Sequence, residues 1–157
     1  MVICDLEFPD ELLYLPEHQV WARLNDDGTA TVGITSLGIV QAGGEIYMCR
    51  PQSVGTEVSQ GRSVGVVELA KSILSVKSPV SGRVVAVNPL LEEQPEWVHR
   101  EPYDRGWMAR LALHDLPADR AALLQGAAVV PVMKHHAWLS RIGPSDGPDR
   151  GSNGSDL

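Results

Sequence analysis

The chain has little cysteine, no surplus of positive charge and no long apolar run, and each shortage closes off a class of function. Only two of its 157 residues are cysteines, Cys4 and Cys49. Two thiols so far apart define no disulfide framework, and in an acidic chain they read as independent buried thiols. Lysine and arginine total 13 against 20 aspartates and glutamates, giving a net charge of −7. Nucleic-acid phosphates demand a basic footprint, so no nucleic-acid partner is expected. An acidic surface suits docking to basic patches on other proteins instead. No apolar stretch approaches the roughly 18 residues that a membrane-spanning helix needs, so no membrane partner is expected either. Met1 to Pro9 carries Asp5 and Glu7 and no basic residue, unlike a secretory leader, and the cytoplasm is the expected compartment.

Hydrophobic residues make up 43% of the chain, an ordinary globular share that predicts a well-filled core. They come in short alternating runs punctuated by glycine and proline. Asp10 to Glu17 reads as a short lead-in ending at Pro16. Val20 to Leu24 sets Val20, Ala22 and Leu24 against Trp21 and Arg23, the pattern of a half-buried strand. Asn25-Asp26-Asp27-Gly28 is a hairpin turn, and Thr29 to Thr35 returns as a second strand. Ser36 to Ala42 reads as at least one helical turn stopped by Gly43-Gly44. Glu45 to Cys49 reads as a strand with Ile46 and Met48 on one face, stopped by Pro51. Val54 to Gly61 is a turn-rich connection in which Gly55 and Gly61 are expected at positive φ. Ser63 to Glu68, Ile73 to Ser78, Arg83 to Val87 and Trp107 to Leu113 are further strands, with a short helix over Glu92 to Val98. Many short strands separated by Gly/Pro turns predict an antiparallel sandwich or barrel. After Leu113 the pattern becomes helical, over Pro117 to Leu124 and again over Ala127 to Ile142, where Pro131 fits only in a first turn. Gly143 to Leu157 is Gly, Ser, Asp and Pro with almost nothing apolar, the composition of a disordered tail.

The segment Gly65-Val66-Val67-Glu68-Leu69-Ala70-Lys71-Ser72, followed by Ser78-Pro79-Val80-Ser81-Gly82, carries the functional signal. A lysine in a turn is ordinarily a solvated surface charge. Lys71 differs in its setting, between two β-rich segments and flanked by the small residues Ala70 and Ser72. Glu68 places a carboxylate three residues earlier, where a modifying enzyme can read it. Such a lysine is presented to other proteins rather than packed against its own.

Several segments, in order, resemble the H-protein family of lipoyl carriers. They are Val32-Gly33-Ile34-Thr35, Val54-Gly55-Thr56-Glu57-Val58, Glu68-x-x-Lys71, Pro79-Val80-Ser81-Gly82, Val87-Asn88, and Glu101-Pro102-Tyr103-Asp104-x-Gly106-Trp107. The resemblance runs from about Glu17 to Leu113. It implies a mainly β fold, a lipoyl/biotinyl-type β-sandwich (barrel-sandwich hybrid) with short flanking helices and a C-terminal helical segment. It divides the chain into a lead-in (1–16), a lipoyl-carrier domain (17–113), a helical extension (114–142) and the tail (143–157). It also implies lipoate joined by an amide to Lys71, with Glu68 recognised by the lipoate-attaching enzyme. The protein would then be a carrier with no catalytic residue and no metal of its own.

Phe8-Pro9-Asp10-Glu11-Leu12-Leu13-Tyr14, the Val20-Trp21 pair, Ala42-Gly43-Gly44-Glu45-Ile46-Tyr47 and Leu116 to Gly126 look like a divergent branch of that family. Its members are lipoate-binding proteins linked to bacterial sulfur oxidation. The favoured expectation is therefore a carrier of a sulfur intermediate serving a heterodisulfide-reductase-like complex. The alternative is the H component of the glycine cleavage system, carrying an aminomethyl group, with the glycine cleavage components as partners. Dihydrolipoamide dehydrogenase is a possible partner of either. A third reading, of another class, is an unmodified lipoyl-like scaffold.

Other candidates carry less. His135-His136 are adjacent on a helix and point apart, so they make a poor metal site. His18 lies near the family's histidine, which would let it face the arm, but Gln19 and Val20 interrupt the family's motif there. Glu92-Glu93 and Glu101 with Asp104 read as solvated loop carboxylates rather than acid/base couples. Cys49 reads as a core thiol.

Overall fold

The structure, a computed structural model, describes residues 1–140. Eleven strands and four α-helices occur among these residues. The strands are β1 (Val2–Ile3), β2 (Leu6–Glu7), β3 (Leu13–Leu15), β4 (Val20–Leu24), β5 (Thr29–Ile34), β6 (Met48–Pro51), β7 (Glu57–Val58), β8 (Ser63–Glu68), β9 (Ile73–Lys77), β10 (Gly82–Val87) and β11 (Ala109–Leu113). The helices are α1 (Ser36–Gln41), α2 (Trp97–Arg100), α3 (Leu116–Asp119) and α4 (Val129–Leu139). A six-stranded antiparallel sheet runs β3-β4-β5-β11-β10-β7, a three-stranded one runs β6-β8-β9, and β1 and β2 form a separate hairpin. The fold is the β-sandwich of the lipoyl type that the resemblance implied, with a helical C-terminal segment.

The principal core lies between the two sheets. Ala22, Val32, Val84 and Leu111 from the larger sheet meet Val64, Val67 and Val76 from the smaller one, all at most 3% exposed. Apolar side chains at alternate positions of twisted strands fill this space because each strand points every second residue inward. Gly65 sits where β8 crosses close to β6: a Cβ there would stand 2.8 Å from the Pro51 Cα.

A second core explains where the alternation rule fails. Val20, Trp21 and Ala22 are all buried, so β4 is covered on both faces, and Leu24 is the exposed member. Trp21 joins Ile3, Phe8, Tyr14, Leu37, Met133 and Ala137 in a cluster roofed by the β1–β2 hairpin and α4. Its indole N–H donates to the carbonyls of Ile34 and Pro102, each at 3.1 Å. Gly33, directly across the ladder, makes the room: a Cβ there would lie 2.7 Å from the indole.

Four other expectations are adjusted. The strand expected over Glu45–Cys49 runs over Met48–Pro51, because Ile46 leaves the ladder to donate its N–H to the His99 ring at 2.9 Å. Pro51 ends that strand from inside it, tolerated because β6 lies at a sheet edge. The helix expected over Glu92–Val98 is replaced by a 3₁₀ turn at Pro89–Glu92, capped by the Asn88 side chain, and by α2. The helix expected over Pro117–Leu124 stops early, since Leu124 instead pairs with Tyr14 at the edge of β3 through two backbone hydrogen bonds of 2.8 and 2.9 Å. α4 begins at Val129 with Pro131 in its first turn, where no intrahelical N–H is needed. The end of that helix expected at Ile142, and the disordered tail expected over 143–157, lie outside the described residues. Gly55 and Gly61 take φ of +98° and +84°, as expected.

Candidate functional site

Lys71 stands at the tip of the β8–β9 hairpin. Glu68 pairs with Ile73 as the last rung, and a backbone bond from Leu69 N–H to Ser72 O of 2.9 Å closes the four-residue loop. Ala70, Lys71 and Ser72 are all exposed. Among the described residues no hydrogen bond or ion pair engages the Lys71 ammonium. The residues on either side of this tip are held very differently. Val67 is buried just before the loop, Leu69 is buried at its first position, and Val76 is buried in the returning strand.

The far end of the hairpin is pinned by a polar cluster. Ser81 donates its backbone N–H to one carboxylate oxygen of Asp119 at 2.7 Å and its hydroxyl to the other at 3.1 Å. Gln60 reaches both neighbours of that contact, donating to the carbonyls of Pro79 and Asp119, each at 2.9 Å. Ser78, fully buried, donates its hydroxyl to Val80 O at 2.6 Å. The Pro79-Val80-Ser81-Gly82 turn is therefore a foundation for the hairpin, and Asp119, from α3, is part of it.

Glu68 lies half-buried on the outer face of β8, in one row with Met48 of β6 and Ile73 of β9. This row places the carboxylate beside the loop that carries Lys71. The structure thus places Glu68 on the last paired rung and Lys71 in the loop that the rung supports. Tyr47 and Glu45 also border the loop, across a depression of about 260 Å³ that includes Gly43 and Lys71, and the Tyr47 hydroxyl donates to Glu45 at 2.9 Å. That hydrogen bond raises the Tyr47 phenol above its ordinary value.

Alongside β9 runs a groove of about 320 Å³, whose walls include His18, Gln19, Gly38, Leu74 and Lys77. His18 lines this groove together with Leu74 to Lys77 of β9. Gln19 is a structural hub that no local sequence pattern marks. It is buried with φ of +54°, and its amide donates to Pro16 O at 2.8 Å and to the Met133 sulfur at 3.3 Å. Its carbonyl oxygen accepts from Thr35 Oγ1 at 2.6 Å, and that same hydroxyl caps α1 by accepting from the Gly38 N–H. One left-handed glutamine therefore ties the groove wall to α1 and α4, at a backbone cost of about 1–3 kcal/mol that the surrounding bonds offset. Its signal in the sequence was weak, because Met133 is 114 positions away.

The remaining candidates stay apart. Cys4 is half-buried in the β1–β2 turn and Cys49 is buried in β6, and both are free thiols. Burial pushes the Cys49 thiol up to about 12, which removes the thiolate that chemistry would require. His135 stacks on Trp138 with ring centroids 6.5 Å apart. Desolvation, chiefly, lowers His136. No group of three or more metal-ligating side chains occurs among the described residues. Glu101 pairs with Arg105 at 3.5 Å within the turn after α2, while Glu92 and Glu93 are exposed. None of these touches the hairpin tip. No helix among the described residues is long and apolar enough to cross a membrane.

Comparison with known proteins bears on this geometry. A family model described as glycine cleavage H-protein matches residues 12–136. The glycine cleavage system H protein of Teredinibacter turnerae is 44% identical over 110 residues, spanning 70% of this chain and 83% of that protein. The counterpart from Listeria welshimeri is 40% identical over 119 residues, spanning 76% and 92%. A crystal structure of a glycine cleavage system H protein from Mycobacterium marinum is similar with a TM-score of 0.66 and 28% identity, covering 83% of this chain and 99% of that one. A match across 125 positions that includes both sheets, the hairpin of Lys71 and most of α4 leaves one conclusion: the chain belongs to the glycine cleavage H-protein family.

Proposed function

We propose that this chain is the carrier component of a glycine cleavage system, with lipoate attached through Lys71 and an aminomethyl group as its cargo. As a member of the H-protein family it is a carrier and not a catalyst. The observation that supports the attachment point is the exposed, unengaged Lys71 ammonium on a four-residue loop whose flanking strands are buried and braced. Its neighbours Ala70 and Ser72 leave room for an attaching enzyme, and Glu68 offers that enzyme a carboxylate to recognise. The favoured expectation from sequence, a sulfur carrier for a heterodisulfide-reductase-like complex, gives way to its alternative. The relatives named above are glycine cleavage proteins, and they supply no support for sulfur chemistry.

The residues present fit a lipoyl arm. Lipoate supplies a strained cyclic disulfide that opens to accept a group and a dithiol that must be reoxidised by a partner. The chain's own contribution is presentation. The braced hairpin holds Lys71 away from the sandwich, and tethering replaces free diffusion with a high effective concentration at each partner's site. Leu74 and Ile34 in the adjoining groove would lie against the arm's hydrocarbon. Partners on this reading are the lipoate-attaching enzyme, the glycine cleavage components and dihydrolipoamide dehydrogenase, in the cytoplasm.

The test is the intact mass of the protein purified from its native cells, with peptide mapping across Lys71. A lipoyl adduct on Lys71 is expected. An unmodified lysine, in cells whose other lipoyl proteins are fully modified, would leave the chain a scaffold. Reconstitution with glycine decarboxylase components then separates the two cargoes: turnover of glycine is expected, and its absence with a fully lipoylated protein would remove the glycine cleavage role.

A further inference from the structure

Three exposed apolar side chains surround the tip that bears Lys71. Ile73 is 66% exposed, Tyr47 57% and Leu74 40%. Isolated surface apolar residues need no explanation, but these gather at one end of the β6-β8-β9 sheet, Ile73 and Leu74 opening β9 and Tyr47 immediately preceding β6. Ile73 shares its face with Glu68 and Met48, because residues directly across an antiparallel ladder point the same way. Tyr47 lies beside this row, its N–H bonded to Glu68 O at 2.8 Å and its side chain lining the depression next to Lys71, while Leu74, across from Val67, points to the opposite face of the hairpin. The charged side chains bordering the loop are Glu45, Glu68 and Lys71: two carboxylates and one ammonium, a local charge of −1. Neither carboxylate is paired with a cation among the described residues. Lys77, the nearest lysine along the chain, sits at the other end of β9 and bonds Ser75 at 3.2 Å.

Amide formation on Lys71 removes the one positive charge in this set and leaves both carboxylates. We propose that the hairpin tip is a docking surface for a basic, apolar-centred protein surface, and that attachment at Lys71 strengthens this docking by raising the local charge from −1 to −2. The occupant is the rim of a partner's active-site mouth: apolar side chains against Ile73 and Tyr47, ringed by lysine or arginine facing Glu45 and Glu68. The modified form then engages such a surface in preference to the unmodified one, so an empty carrier competes poorly for the partner. Complementary charge acts chiefly on encounter and on rejection of wrong partners, which suits a carrier that must release as readily as it binds. The inference rests on the lipoyl reading of Lys71 for its biological meaning, while the charge rule itself depends only on whether residue 71 is charged.

That separation gives the test. Lys71→Gln supplies a neutral amide side chain and Lys71→Arg retains the cation, and neither can accept lipoate. Each ¹⁵N-labelled protein is titrated with a short, blocked peptide of alternating lysine and leucine, and amide shifts are followed by NMR. Shifts are expected at Tyr47, Glu68, Ile73 and Leu74, with the Gln variant binding about threefold to tenfold more tightly at low ionic strength. The difference should vanish near 1 M salt, where screening acts within about 3 Å. Adding Glu45→Gln to the Lys71→Gln protein should return its affinity to that of Lys71→Arg. Equal affinities of the two variants would overturn the charge rule. Shifts centred on the exposed Glu92-Glu93 turn instead of the hairpin tip would overturn the docking surface. Failure to find lipoate on Lys71 in native protein would sink the functional reading and not this one, since the peptide titration involves no lipoate.

Discussion

The two ends of the β8–β9 hairpin are built from the same pair of strands and meet opposite fates. At the root, Val64 and Val76 are buried between the sheets, and the turn that follows is fastened by Asp119, Gln60 and Ser78. At the tip, immediately after buried Leu69, the five residues from Ala70 to Leu74 are exposed and Lys71 has no partner among the described residues. Presentation of a side chain is thus a property of its base: a loop stays short and projecting because the strands beneath cannot slide. Where the root is a core, energy of packing dominates. Where the tip is open, only chemistry distinguishes one residue from another.

That contrast can be broken at either end. The largest effect is expected from Lys71→Arg, which keeps a long cation at an exposed site and so leaves the urea midpoint unchanged, yet removes all lipoyl attachment. Mass spectrometry of the variant checks it, and recovery of lipoate on Lys77 would contradict the assignment. Val67→Ala is the converse experiment. Removing two methyl groups' worth of volume from a fully buried site of β8 costs about 2–3 kcal/mol, read from the urea midpoint at constant slope, while Lys71 remains modifiable. Asp119→Ala tests the foundation. Loss of both bonds to Ser81 costs about 1–2 kcal/mol in global stability. Faster amide exchange in the Ser78–Gly82 turn than at the tip should accompany it, and uniform exchange across the hairpin would contradict the bracing role.

How much of this was legible from sequence follows the same division. β8 falls on Ser63–Glu68, and β9 is one residue shorter than the span to Ser78. Local alternation between a glycine and a tight turn determines such strands, and Lys71 with Glu68 was visible because both lie within that one local pattern. The bracing was not visible. Asp119 meets Ser81 across 38 positions, and Gln19 meets Met133 across 114. Trp21 looked like an outward residue because a two-residue period assumes one covered face, whereas the N-terminal hairpin and α4 cover the other. The compensating signal was Gly33 opposite it, legible only once the register of β4 and β5 is known. Short helices escape local composition for a related reason: Pro117–Leu124 has helical composition, but the open edge of β3 claims Leu124 for strand-like pairing.

The smallest effect sharpens the comparison most. Ile73 and Val67 lie on the same two paired strands, one rung apart, and both are β-branched. Ile73→Ser removes an apolar side chain that is already 66% exposed, so it forfeits little burial and is expected to move stability by less than about 0.5 kcal/mol. A stability loss like that of Val67→Ala would mean that the tip is packed and that Lys71 is presented less freely than its surroundings suggest. With stability unchanged, any weakening of partner or peptide binding by Ile73→Ser is attributable to the surface alone, because the root that holds Lys71 in place has not been touched.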